Sequence, residues 1–240
     1  MISYPASHKK DIGLSAHESR FGGMSHLGLH LKELYKYREL LWVLTSRELK
    51  VRYKQTSLGV LWAIIQPLSL MLIFTMVFSY FTKINSEGLP YPIFSYTALL
   101  PWTFFQTAVQ FGSMSVVNNS GLVTKVWFPR EILPLSSLLA ALVDFLIAGI
   151  LLIGLMIFYG TAITPNIFWI LLLIPLQMVI TAGINFLLAA SVVIFRDLKF
   201  VIPLGLQILF YATPVIYSIN IIPDRFFKLV LANPLTGLVD

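Results

Sequence analysis

The chain has no cysteine, and over long stretches it has no charge. The first absence excludes disulfides and thiolate metal sites. The second leaves too little polar surface to keep the chain in water. Only 12% of its residues are charged, against roughly 25% in a soluble domain. No Gly-x-x-x-x-Gly-Lys-Ser/Thr run occurs, so there is no phosphate-cradling loop for a nucleotide. All four histidines, His8, His17, His26 and His30, precede the first apolar run. A membrane metalloenzyme or acyltransferase would therefore lack its usual base. Their spacing fits no metal site, and a solvated tail accounts for them. Residues 1–30 hold no 7–15-residue apolar core of the kind a cleavable signal peptide needs. They read as a flexible leader.

What is present is apolar: 57% of the 240 residues are hydrophobic and 14% aromatic. No Asp, Glu, Lys or Arg occurs from Leu58 to Thr82, from Gly88 to Thr124, from Phe145 to Phe195 or from Phe200 to Pro223. A spanning helix needs roughly 20 such residues. The longest run is too long for one span and breaks at the turn-forming residues 159–166. Barrel strands would alternate polar and apolar positions, and these runs do not. The expectation is an all-α polytopic membrane protein with five transmembrane helices, near 58–82, 91–114, 132–158, 167–195 and 200–219. Pro92 and Pro101 mark the second for a kink, and Pro203 and Pro214 the fifth.

Fourteen of the 17 Lys and Arg fall in the leader, residues 31–57 and the loops after spans two and four; three fall on the other side. The positive-inside rule then places the N-terminus in the cytoplasm. The net charge of +6 is a topology signal, aided by anionic lipid, and requires no nucleic acid. Leu31, Leu34, Tyr35, Leu41, Trp42, Thr45 and Leu49 recur near helical spacing, with Lys32, Lys36, Glu39, Arg47 and Lys50 between them. Residues 31–57 are thus expected to form an amphipathic interfacial helix, or a helix packed on a partner. The loop 118–130 interleaves Val123, Val126, Trp127 and Phe128 with Lys125 and Arg130. That pattern suits either the bilayer interface or a groove on a cytosolic protein.

Asp144 is the one charge expected inside a span, about 20 Å along its helix from Glu131. An intramembrane carboxylate is costly and is a functional candidate by default. It is read either as protonated or hydrogen-bonded to a neighbouring helix, or as the centre of an ion-coupled secondary transporter.

The run from Arg47 to Leu68, Arg-Glu-Leu-Lys-Val-Arg-Tyr-Lys-Gln-Thr-Ser-Leu-Gly-Val-Leu-Trp followed by Gln66-Pro67, resembles the permease subunit of bacterial ABC exporters for surface polysaccharides. Leu100-Pro101-Trp102-Thr103-Phe104-Phe105, the loop Lys125 to Arg130, Phe195-Arg196-Asp197, Thr213-Pro214-Val215-Ile216-Tyr217 and Asn233-Pro234 follow in that family's order. The resemblance covers about residues 31–240. It implies a homodimer around a channel in the bacterial inner membrane, exporting a lipid-linked O-antigen, capsule or teichoic acid chain. It implies two ATPase subunits that bind ATP and Mg, with no cofactor held by this chain. The loop 118–130 becomes the coupling helix, with Val123, Lys125, Trp127, Phe128 and Arg130 at the ATPase. Residues 220–240 become a re-entrant segment facing outward. The family has six spans with both termini inside, so five visible spans lead to the expectation of a missing sixth.

Aromatic faces stack on sugar rings, and amides offer replaceable hydrogen bonds. Trp62, Gln66 and Ile73 share one helical face, as do Gln207, Tyr211 and Pro214. These two faces are expected to line the path, with Tyr91, Trp102, Phe105 and Tyr217 as further candidates. Gln66 and Gln207 weigh most, because a lipid-facing amide would be unsatisfied. Arg47, Arg52 and Lys54 are candidates for the lipid-diphosphate head at the cytoplasmic entrance.

Overall fold

The computed structural model describes residues 34–54, 56–82, 89–161, 168–215, 217, 233 and 235–239. The leader with its four histidines, the break at 162–167 and most of 220–240 lie outside the described residues. All regular structure among the described residues is helical. Helix α1 is Arg38–Tyr53. A 3-10 turn, Gly59–Leu61, leads into α2 (Trp62–Phe74), which widens into a π-helical stretch, Thr75–Thr82. There follow α3 (Tyr91–Asn118), the short α4 (Ser120–Val123), α5 (Ile132–Phe158), α6 (Phe168–Ile194), α7 (Leu198–Ala212) and the short α8 (Thr236–Val239).

Helices occupy all five expected places, but three of them are long and apolar enough to cross a membrane: Gly59–Phe78, Ile132–Phe158 and Phe168–Ile194. Helix α7, at 15 residues, falls short of the roughly 20 a span requires. Helix α3 has the length, at 28 residues, but is less apolar. The reason is its position. Fifteen of its residues are buried, against five of 27 in α6. A helix shielded by its neighbours tolerates Ser95, Thr103, Thr107 and Ser113, while one facing lipid must be apolar all along its outer face.

The other helices pack around α3. Phe104 meets Phe145 at 5.7 Å between ring centroids, and the Tyr96 hydroxyl donates to the Ala148 carbonyl at 3.0 Å. These contacts set α3 and α5 antiparallel. On another side, Gln177 Nε2 donates to the Pro101 carbonyl at 2.7 Å, and Asn185 Nδ2 to the Ala108 carbonyl at 3.1 Å. Those bonds set α6 parallel to α3. Trp102 packs against Phe210 of α7 at 5.3 Å, and Phe74 of α2 stacks on the same ring at 6.1 Å.

The packed side of α1 is apolar in its first half and charged in its last turns. Leu44 and Thr45 are buried, and Glu48 and Arg52 face inward after them, while Trp42, Val43 and Val51 are exposed. The helix runs alongside the N-terminal half of α5, in the same direction: Leu44 clusters with Ile132 and Leu133, Glu48 accepts from Ser137, and Arg52 bonds Asp144. The face expected from Leu41, Trp42, Thr45 and Leu49 is therefore split between the two sides.

Candidate functional site

The first feature is a cleft of about 440 Å³ between the end of α1 and the helices α2, α3 and α5. Trp62 and Gln66 line one wall, Thr103, Thr107 and Gln110 another, and Arg52 and Asp144 a third. Five residues separate Tyr53 from Gly59. Gly59 has φ +54°, a left-handed conformation that glycine adopts without the Cβ penalty. That turn brings the start of α2 beside Arg52 and the middle of α5.

Asp144 is not alone. Arg52 Nη1 bonds its Oδ2, and the Tyr53 hydroxyl donates to its Oδ1 at 2.7 Å. The Arg52 and Asp144 side chains are 13% and 15% exposed. The guanidinium also lies 4.2 Å above the Phe111 ring, a cation–π contact. Arg52 is thus turned into the bundle toward a carboxylate, away from the lipid-head role assigned to it. Arg47 Nη2 bonds Asn119 Oδ1, and Lys54 is exposed. The three cations therefore do not form one cluster. Burial pushes the Glu48 carboxyl above its ordinary 4.5, against the opposing pull of Ser137 and Arg52. Burial and the Asp144 carboxylate push the Tyr53 hydroxyl up as well, so it stays a donor.

The remaining candidates divide by exposure. Trp62, Ile73 and Tyr211 are 45%, 55% and 63% exposed, and Gln66 and Gln207 are exposed too. Trp62 and Gln66 thus open to the cleft, Ile73, Gln207 and Tyr211 are open on the surface of the described residues, and Pro214 turns inward. Trp102 and Phe105 are each 2% exposed and belong to the packed core with Tyr96 and Leu99. Tyr91 is buried as well. Tyr217, partly buried, donates to the Tyr211 carbonyl at 3.4 Å.

The second feature is the end of the bundle that carries the loops after α3 and α6. A groove of about 460 Å³ there has an apolar floor, Met114, Val116, Val117, Val192 and Val193, and a rim that includes Arg130, Arg196 and Lys199. Helix α4 gives the loop one turn of regular structure. Within it, Phe128 is 5% exposed and Trp127 76%. Phe128 plugs into the cluster with Leu44, Ile132 and Leu133 and anchors the loop. Trp127 stands outside, edge-on to Tyr37 at 6.5 Å. Lys125 and Arg130 are exposed, and Val123 is half-buried.

The model of the ABC-2 type transporter family matches residues 39–240. The chain belongs to that family. It is a multi-pass membrane permease and not an enzyme, and an ATPase partner subunit follows from the family. Among its relatives, the permease is 35% identical to the O-antigen export system permease protein RfbA of Myxococcus xanthus, over 87% of this chain and 80% of that protein. It is 31% identical to the RfbA permease of Klebsiella pneumoniae, over 84% and 77%. It is 26% identical to the polysialic acid transport protein KpsM of Escherichia coli, over 81% and 76%. These relatives favour the ATP-driven reading over an ion-coupled transporter centred on Asp144.

Several residues of the permease were missed from sequence. Gln177, Thr181 and Asn185, four apart on α6, form a buried polar ladder, and their spacing on an apolar span was the available signal. Gln110, Thr103 and Thr107 entered the cleft without notice, because a polar residue on a shielded span carries no periodic mark. Two motif fragments also meet: Asn233 Nδ2 donates to Thr213 Oγ1 at 2.9 Å, which ties the chain just before α8 to the end of α7.

Proposed function

We propose that this permease exports a lipid-linked polysaccharide of the O-antigen or capsule class across the cytoplasmic membrane. Its substrate class is supported by the relatives named as O-antigen export permeases and a polysialic acid transport protein. The observation that carries the mechanism is the exposure of polar and aromatic side chains on α2 and α7 among the described residues. Gln66, Gln207 and Tyr211 are exposed there on otherwise apolar helices. Against lipid these amides would lack partners. Between two copies of the chain they would border a wet path, with Trp62 and Tyr211 as stacking surfaces for sugar rings. Trp102 and Phe105, packed in the core, are left out of that lining.

The N-terminus and the basic loop end lie in the cytoplasm, following the distribution of Lys and Arg. Two ATPase subunits dock there on Trp127, Lys125 and Arg130, while Phe128 holds the loop to α1 and α5. Arg47 and Lys54 remain the cations available to a diphosphate head, and exposed Trp42, Val43 and Val51 touch the bilayer interface. Host cells lacking this chain should accumulate lipid-linked polymer internally and lose it from the surface, with recovery on complementation. Normal surface polysaccharide in such cells would overturn the reading.

A further inference from the structure

Helix α1 is fastened near its middle and at its C-terminal end. Near its middle, Leu44 packs against Phe128 of the loop and Ile132 of α5, and Arg47 bonds Asn119 at the end of α3. In its last turn Arg52 and Tyr53 both hold the Asp144 carboxylate. The α5 surface around Asp144, with Ala141, Phe145 and Ala148, is a wall of the cleft that Trp62 and Gln66 also line. A push on the loop has a route to the cleft along α1, through the Arg52–Asp144 pair and the Tyr53 and Glu48 hydrogen bonds beside it.

The guanidinium is not fully engaged. Its Nε and Nη2 are buried without a hydrogen-bond partner among the described residues. Nη2 lies 3.9 Å from Glu48 Oε1, one turn back on α1. A cation bonded to one carboxylate with a second in reach has two positions: one on Asp144 of α5, and one on Glu48 of α1, whose carboxylate accepts from Ser137. Asp144 would keep the Tyr53 hydroxyl in the second.

We propose that Arg52 is a positioning residue which transmits movement of the loop and α1 to α5, exchanging between Asp144 and Glu48 during transport. This rests on the ATP-driven reading above. It gives Arg52 and Asp144 a role in which neither touches the substrate.

The test uses the permease with its ATPase in proteoliposomes, reading polymer moved per ATP hydrolysed. The variants are Arg52→Gln with Asp144→Asn together, and the charge exchange Arg52→Asp with Asp144→Arg. The neutral double variant removes both charges of the Arg52–Asp144 pair together, and Glu48 keeps Ser137 and Arg47, so it separates folding from coupling. It should keep ATP hydrolysis within about twofold of wild type and lose about tenfold in polymer moved per ATP, with partial recovery in the exchanged pair. Wild-type yield per ATP in the neutral double variant would overturn the proposal. So would loss of hydrolysis and transport in equal proportion, the mark of a purely structural pair. Failure of the wild-type complex to transport with ATP would instead overturn the function itself.

Discussion

At position 59 the backbone takes φ +54°, and a Cβ added there would meet nothing within 4 Å. The constraint is conformational and not steric, so Gly59→Ala should cost about 1–2 kcal/mol through the left-handed backbone alone. Gly112 presents the opposite case. A Cβ there would stand 2.5 Å from Asn185 Nδ2, the atom that donates to the Ala108 carbonyl. Gly112→Ala should lower stability by about 1–3 kcal/mol, as overpacking does, and adding Asn185→Ala should restore part of it. Thermal unfolding of the purified permease reads both. Glu48 makes a pH prediction. Its folded carboxyl holds a proton more tightly than the unfolded one. That stability is fully present below pH 4.5 and is lost as pH rises through the raised value. The groups facing it are Ser136, Ser137, Arg47 and Arg52. The melting temperature of Glu48→Gln, relative to wild type, should therefore climb from pH 4 to neutrality. A flat difference would contradict it.

Among elements, α5 and α6 were legible because they face outward: Ile150, Ile153, Phe168 and Leu171 are exposed, and long apolar runs mark such helices. Helix α3 was legible from the absence of charge, but its centrality was not, since Ser, Thr and Gln on a shielded helix look like a weaker span. The inward set of α1 was hidden because Glu48 and Arg52 read as surface charges until Ser137 and Asp144 are brought beside them. Those partners lie 89 and 92 positions away, beyond any local pattern. In the loop, adjacent aromatics have opposite roles. Phe128→Ala should cost about 3–5 kcal/mol of stability as a buried large-to-small change. Trp127→Ala should leave the melting temperature unchanged and weaken retention of the ATPase on purification. Equal effects of the two would contradict the division.

For the molecule as a whole, exposure was legible in part: placing amides and aromatics on helical faces put Trp62, Gln66 and Gln207 at exposed positions, while the aromatic motif at Trp102 and Phe105 packs into the core. The proposed pairing of two copies along α2 and α7 is testable without background, because the sequence has no cysteine. Single cysteines at Ile73 or Gln207 should join two copies under a short thiol cross-linker in membranes, while one at Ile153 on the outer face of α5 should not. The central claim, ATP-driven export of a lipid-linked polysaccharide, is tested most directly by reconstituting the permease with its ATPase in proteoliposomes and measuring polymer crossing the bilayer. Crossing should need both subunits and hydrolysable ATP, and should persist when ion gradients are collapsed. Crossing that runs without ATP on an ion gradient would contradict it.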